Sequence, residues 1–225
     1  MSDKNGGLKP GPALLGLAAV IIVLFLFNTN FFGSSDGAVD EYEEHLIPAY
    51  EVVEIEEAHL PEARRYEYHV HVQEQAGREE LRHASRQLLA RAKEELEFHG
   101  VVFSYYDREE YINRARQTLG QALYAPYGQP DRVDEVQAGE YEVMEFSWSL
   151  RGKDWDQQLS DLETEIWADW QDLYAEMEAG EEIDDSAGAG KRADEEIAEK
   201  YDIEVEEVER IREDFQNWSL MNLSN

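Results

Sequence analysis

The sequence contains no cysteine. This absence excludes disulfide bonds, thiolate metal ligands, cysteine nucleophiles and attachment of a lipid to a cysteine. Basic residues are also scarce, because 20 Lys and Arg stand against 51 Asp and Glu and give a formal net charge of −31. A chain of this charge repels nucleic-acid phosphates. We therefore expect no nucleic-acid partner, and we expect any protein partner to be cationic or neutral.

Common catalytic motifs are missing as well. The sequence has no GxSxG, HExxH, dinucleotide-binding or EF-hand pattern. The segment Gly188–Lys191 departs from a phosphate-binding loop, because Arg192 occupies the position of the usual Ser or Thr. Carboxylate pairs are too numerous for any one of them to indicate an acid–base pair. The sequence therefore nominates no catalytic residue, no cofactor and no small-molecule ligand.

The composition that is present indicates a folded protein. Hydrophobic residues make up 42% of the chain and aromatic residues 11%, which is more than a disordered acidic chain contains. The acidic residues are spread along the chain and do not form one block. This distribution favours a halophilic source, where salt screens the repulsion among carboxylates. An acidic protein from a low-salt source is the alternative.

One long apolar run lies near the N-terminus. Ala13–Phe27 contains no polar residue, and extension by five residues gives a length of about 30 Å, which matches the hydrocarbon core of a bilayer. Lys4 and Lys9 precede the run, and acidic residues follow it. We therefore predict a cytoplasmic segment at residues 1–12, a single transmembrane helix in the bilayer from Ala13 to Phe32, and a soluble part outside the cytoplasm at the cell membrane. A cleaved signal peptide is the alternative.

After an acidic linker at residues 33–45, residues 46–150 carry the pattern of an α+β domain. Segments rich in Val, Tyr and Ile predict strands, and one segment with apolar residues at helical spacing predicts a helix. In chain order these are strands Tyr50–Ile55 and Arg64–Val72, helix Gly77–Phe98, and strands Val101–Tyr106, Thr118–Tyr124 and Glu140–Trp148. This order predicts two layers, an antiparallel sheet with one main helix packed on it.

The C-terminal part is predicted to be helical. Residues 151–179 contain an amphipathic helix, residues 180–190 predict a flexible linker, and residues 191–225 predict a small helical appendage. Aromatic residues cluster on the first of these helices and just before it: Trp148, Trp155, Trp167, Trp170 and Tyr174. We expect them to pack the helix against the sheet, and a partner-binding stripe is the alternative.

Three segments carry a family resemblance. They are YEVVEIEEAHLPEARRYEYHV from Tyr50, FHGVVFSYYD after the predicted helix, and LGQALYAPYGQPD from Leu119 to Asp131. Through these segments the region from about residue 50 to residue 148 resembles domain-of-unknown-function family 4875, which occurs in bacterial and phage proteins. The resemblance implies no known activity and no catalytic residues.

A second resemblance lies in the predicted appendage. Between Glu195 and Ile211 the apolar residues are spaced like the core of a helix-turn-helix unit, although Asp202 stands where Gly is usual in the turn. The second helix would carry six acidic residues against Arg210 and Arg212, and acidic side chains repel DNA phosphates. We therefore interpret the unit as a structural helical hairpin. A regulator that binds nucleic acid is the alternative.

His69 and His71 are the candidate metal ligands. They lie two positions apart on a predicted strand, so their side chains point to one face, and Glu67 lies beside them. No local spacing fixes a third ligand, although histidines occur elsewhere in the chain, at His45, His59 and His99. An exposed polar face without a metal is the alternative.

The function that these patterns favour is that of a membrane-anchored, non-enzymatic interaction or envelope-accessory module with a protein partner. A membrane-tethered enzyme that uses a metal on the His69/His71 face for hydrolysis is one alternative. A regulator that acts through the helix-turn-helix-like unit is another.

Overall fold

The computed structural model describes residues 42–58, 63–180 and 186–223. Within these residues the strands are β1 Tyr50–Glu57, β2 Arg65–Val72, β3 Gly100–Tyr106, β4 Gly120–Pro126 and β5 Met144–Leu150. The α-helices are α1 Arg78–Glu95, α2 Asp161–Gly180, α3 Ser186–Tyr201 and α4 Val205–Leu220. Short 3-10 helices lie in the connections, at Glu44–Leu46, Glu109–Tyr111, Pro130–Glu135 and Trp155–Gln157. The described elements belong to one compact unit.

The strands form one sheet in the order β1-β2-β3-β4-β5. Three neighbouring pairs are antiparallel, but β2 and β3 run parallel. The prediction of a purely antiparallel sheet is therefore wrong. The reason lies in α1, whose 18 residues span roughly 27 Å and bring the chain back along the length of β2. Because of this return, β3 begins at the same end of the sheet as β2, and the two strands run in the same direction.

One face of the sheet is covered by α1. Alternate residues of β2 face the helix, and Tyr68, Val70 and Val72 are buried there. The helix contributes buried residues at helical spacing: Leu81, Ala84, Leu88, Leu89 and Ala92. Together with side chains from β3, β4 and β5 they form the main hydrophobic core. The other face of β2, which carries His69, is directed away from α1.

A second hydrophobic cluster joins α2, α3 and α4 to the segment that follows β3. Trp167 of α2 and Trp218 of α4 are fully buried in it, as is Tyr111 beyond β3. The Tyr111 ring centroid lies 5.1 Å from that of Trp167 and 4.9 Å from that of Phe215. The predicted packing of the aromatic-rich helix against the sheet domain is therefore confirmed. Trp148 belongs instead to the core beneath α1.

Helix α3 begins inside the segment predicted to be a flexible linker. It starts at Ser186, whereas residues 181–185 lie outside the described part. The helix packs against α2, since Ala189 is 1% exposed and a Cβ added at Gly190 would lie in ordinary contact, 3.9 Å from Tyr174 Cε2. The region predicted as a separate appendage thus packs into the second hydrophobic cluster.

Three basic side chains donate hydrogen bonds to backbone oxygens at the end of α4 and just after it. They are Arg78, Arg151 and Lys153, and their acceptors are the carbonyl groups of Leu223, Ser219 and Trp218. Cations are favourable here because the last carbonyl groups of a helix lack helical partners and the C-terminal end of the helix dipole is negative. These contacts fix the end of α4 against the sheet domain.

The predicted transmembrane helix, Ala13 to Phe32, lies outside the described residues, as does the cytoplasmic segment before it. Among the helices of the described part, none is both long and apolar enough to cross a bilayer. The longest of them, α2, carries seven acidic residues in its 20 positions. The structure therefore does not support a single-pass membrane architecture or a location at the cell membrane, and we correct both predictions. The fold is α+β, with a mixed five-stranded sheet.

Candidate metal centre

A β-bulge in β1 decides which acidic side chains face β2. The pairing register between the two strands shifts by one residue at Val53. Because side chains alternate between the two faces of a sheet, this insertion reverses the alternation for the rest of β1. Glu56 is thereby placed directly opposite Glu67, on the face of the sheet that carries His69.

Glu56, Glu67 and His69 form the candidate metal centre. One ligand atom from each residue lies within 4.8 Å of the other two. His69 Nε2 and Glu56 Oε2 are 3.7 Å apart, which is too long for a hydrogen bond. A tetrahedral site with bonds of about 2.1 Å places its ligand atoms roughly 3.4 Å apart. A small movement of these three side chains toward one another would therefore be enough to coordinate an ion.

The burial of His69 points to a ligand at this position. Its side chain is 7% exposed, and its buried Nε2 atom has no hydrogen-bond partner among the described residues. A buried polar atom without a partner costs free energy, on the order of 1–3 kcal/mol. A cation bound by Nε2 would remove this cost, and the oxygens of Glu56 and Glu67 lie where they can complete the coordination.

Neighbouring side chains orient two of the three residues. The hydroxyl oxygen of Tyr106 lies 3.3 Å from His69 Nδ1. Ser104 Oγ donates to Glu67 Oε1 over 2.6 Å, and Gln117 Nε2 donates to Ser104 Oγ over 3.2 Å. When Nδ1 carries the proton and donates it to Tyr106, Nε2 presents its lone pair to a cation. Metal-bound histidines are commonly held in this way by a second hydrogen bond.

The electrostatics of the site favour a cation. Glu56 and Glu67 lie directly opposite each other on antiparallel strands, an arrangement in which like charges repel. Burial raises the pKa of Tyr106, and the charges of Glu67 and Glu56 raise it further, so its hydroxyl group stays neutral. A divalent cation would offset the repulsion between the two carboxylates.

The sequence predicts part of this cluster. His69 belongs to it, together with the neighbouring Glu67, whereas the second predicted ligand, His71, does not. Glu56 could not be predicted, because the face of the sheet on which its side chain lies depends on the bulge. The doubled valine Val52–Val53 interrupts the alternation of the strand, and it is the signal that could have identified Glu56.

The other histidines considered as third ligands lie elsewhere. His45 is exposed and lies 3.5 Å from a carboxylate oxygen of Glu43. His99 precedes β3, and its Nδ1 accepts a hydrogen bond from the backbone nitrogen of Arg64 over 2.8 Å. His59 lies outside the described residues.

Helices α3 and α4 occupy the helix-turn-helix-like pattern. The turn between them contains Asp202 with a φ of 54°, a left-handed conformation that Gly adopts without strain. Both basic side chains of α4 are paired with carboxylates, Arg210 with Glu163 and Arg212 with Asp194. That the pair is a structural hairpin and binds no nucleic acid stays a prediction.

Comparison of the chain with protein-family models, with curated proteins and with solved structures finds no match in any of the three. The resemblance to family 4875 and the helix-turn-helix-like pattern therefore stay predictions. The expectation of a protein partner also stays a prediction.

Proposed function

We propose that this protein binds a first-row divalent transition-metal ion through Glu56, Glu67 and His69. The observation that carries the proposal is the buried Nε2 atom of His69, which lies beside two carboxylates and has no hydrogen-bond partner in the described part of the chain. A single divalent cation satisfies all three groups, because it takes up the nitrogen lone pair and offsets both negative charges.

The donor atoms select the kind of ion. One imidazole nitrogen with two carboxylate oxygens suits Zn²⁺ and its neighbours in the first row, whereas Ca²⁺ and Mg²⁺ prefer oxygen ligands alone. At such a site Zn²⁺ binds more tightly than Mn²⁺ or Fe²⁺. Three protein ligands leave one position of tetrahedral zinc for water or substrate, as in catalytic zinc sites. Metal-assisted hydrolysis is the reaction class that this arrangement supports.

Zinc titration of the metal-free protein tests the proposal. We expect calorimetry to show one Zn²⁺ bound per chain, with weaker binding of Ca²⁺ and Mg²⁺. Glu56→Gln removes a ligand whose side chain is 62% exposed, so folding is not disturbed. This substitution should weaken Zn²⁺ binding by at least about tenfold, since loss of a residue that only hydrogen-bonds to a metal ligand already weakens binding by that much. His69→Ala should abolish binding.

The same two strands offer matched controls. Glu51→Gln removes an identical charge from β1 before the bulge, and His71→Ala removes a histidine of β2 that lies outside the cluster. Both variants should bind Zn²⁺ as the unchanged protein does, and circular dichroism verifies the fold of each. If Glu51→Gln and Glu56→Gln weaken binding equally, zinc responds only to the overall negative charge and the proposal fails.

A further inference from the structure

A cavity of about 160 Å³ lies among α2, α4 and the segment that joins β3 to β4. Trp167 and Phe215 line its apolar side, and Arg116 and Arg151 line its basic side. These four residues are named the arginine pocket. The arginine pocket shares no residue with the candidate metal centre.

The arginine pocket is basic, although the net charge of the chain is −31. Arg114 at its edge is neutralised by both carboxylate oxygens of Asp172, at 2.7 and 2.8 Å. Arg116 differs, because no hydrogen bond or ion pair joins it to another described residue. Arg151 donates through Nη1 to two backbone oxygens, and within the described part no carboxylate contacts it. Two guanidinium charges therefore face this cavity without a carboxylate partner.

The charges of Arg116 and Arg151 repel each other. Burial lowers the pKa of Arg151, and the charge of Arg116 lowers it further. Arg151 keeps its charge at neutral pH, because guanidinium groups in proteins do not lose their proton there. An anion held between them would relieve the repulsion and accept hydrogen bonds from both planar groups.

The apolar side of the pocket selects an anion that carries a ring. Trp167 and Phe215 stack with their ring centroids 3.9 Å apart, and Leu220 at the rim is 62% exposed. A cavity of roughly 150 Å³ is large enough to hold benzene. We propose that the arginine pocket binds a small organic anion, whose carboxylate faces Arg116 and Arg151 and whose single ring lies against the aromatic side.

Benzoate is the probe that tests this proposal, because it carries one carboxylate on one ring. Benzamide has nearly the same shape without the charge, and acetate has the charge without the ring. In calorimetric titrations of the full chain we expect benzoate to bind at least about tenfold more tightly than either compound, since both the ionic and the apolar contacts contribute. Equal affinities for benzoate and benzamide would overturn the proposal.

A substitution of Arg116 tests whether benzoate binds in the arginine pocket. Because Arg116 is exposed and makes no hydrogen bond within the described residues, Arg116→Gln leaves the fold intact. It should weaken benzoate binding by at least about tenfold. Arg86→Gln is the matched control, since it removes the same charge from α1, where Arg86 lies over Trp148 at 5.8 Å. An equal loss in both variants would mean that benzoate responds to net charge, and the pocket would be rejected.

His69→Ala separates this pocket from the candidate metal centre. Carboxylates also bind zinc, so benzoate seated on a bound metal would lose affinity in His69→Ala and keep it in Arg116→Gln. We expect the reverse, with benzoate affinity unchanged in His69→Ala and lost in Arg116→Gln. Because zinc binding and benzoate binding are measured separately, either site can fail without the other. Loss of benzoate binding in His69→Ala alone would overturn the arginine pocket.

Discussion

Gly120 begins β4 with a backbone conformation that residues with side chains rarely adopt. Its φ is +97°, and a Cβ at this position would overlap the backbone oxygen of Ser149 and lie 2.9 Å from Leu150 Cα. Both contacts are to the backbone of β5, which cannot rotate away as a side chain can. The absence of a side chain at Gly120 therefore permits β4 and β5 to pair at this end.

We predict that Gly120→Ala lowers the free energy of unfolding by about 2 kcal/mol or more, because the methyl group meets a positive φ and a backbone clash together. Gly190→Ala is the comparison within the same protein. Gly190 lies inside α3 with ordinary contact distance to Tyr174, so alanine there should raise the free energy of unfolding by about 0.5–1 kcal/mol. Urea unfolding measures both. Changes of the same sign in the two variants would contradict the backbone argument.

The candidate metal centre shows what a local pattern can predict at the scale of one residue. The period-two pattern of β2 is sufficient to place Glu67 and His69 on one face. Glu56 could not be placed, because its orientation depends on the insertion of Val53, which is a property of two paired strands. The burial of His69 likewise depends on distant residues such as Tyr106. A pattern within one strand predicts the direction of a side chain. It does not predict which residues of other elements lie beside that side chain.

The start of α2 is fixed by its own sequence and by α4. Ser160 and Glu163 form a capping box, in which the backbone nitrogen and Oγ of Ser160 donate to Glu163 Oε2 over 2.9 and 2.7 Å. Arg210 of α4 donates to the other carboxylate oxygen of Glu163 over 2.6 Å. The hydrogen bonds from Arg210 and then from Ser160 lower the pKa of Glu163 to about 2. One carboxylate thus joins the beginning of α2 to the middle of α4.

The low pKa of Glu163 predicts a specific loss of stability in acid. Its pKa is lower in the folded state than in the unfolded state, so its charge stabilises the protein above about pH 4.5, and this contribution disappears as the pH falls toward 2. Glu163→Gln keeps an acceptor for the capping box and removes the charge. We predict a Tm about 2–4 °C below that of the unchanged protein at pH 7, the shift that about 1 kcal/mol produces in a chain of this size. The difference should vanish near pH 2.

Glu176→Gln is the control for this experiment, because Glu176 is an exposed glutamate on the same helix. Its Tm should follow that of the unchanged protein at every pH. A Tm deficit of Glu163→Gln that persists undiminished at low pH would mean that Glu163 acts through packing and not through its charge.

Element boundaries follow from the sequence where one periodic pattern covers one element. The predicted helix Gly77–Phe98 corresponds to α1, Arg78–Glu95, and its apolar spacing is sufficient to find it. The start of α3 at Ser186 could not be found in this way, because Gly188–Gly190 resembles a linker until α2 packs against it. The parallel pairing of β2 and β3 could have been predicted from the sequence, since a helix between two adjacent strands is the usual connection of a parallel pair.

Self-repulsion acts on the whole molecule. Even if each of the 20 basic residues paired with one acid, 51 − 20 = 31 acidic residues would have no such partner. Surface arginines already form such pairs, for example Arg114 with Asp172 and Arg132 with Glu135. The remaining repulsion raises the free energy of the compact state more than that of the expanded chain.

We predict that the Tm of the full, metal-free chain rises between 0.1 M and 1 M KCl. The screening length falls from about 10 Å to about 3 Å over this range, which weakens the repulsion among carboxylates on the folded surface. Differential scanning calorimetry measures the change, and chloride is chosen because sulfate also stabilises proteins by exclusion from their surface. A Tm that stays flat or falls would count against both the screening argument and the halophilic prediction.

Helix α4 follows every other described element along the chain, yet it supplies Phe215 and Trp218 to the second hydrophobic cluster. Ribosomes synthesise from the N-terminus, so the sheet and α1 emerge while α4 is still unmade. During that interval the ring of Tyr111 lacks its contact with Phe215 of α4. Between the emergence of β5 and that of α4, the nascent chain therefore presents an aromatic surface to chaperones and to other unfinished chains.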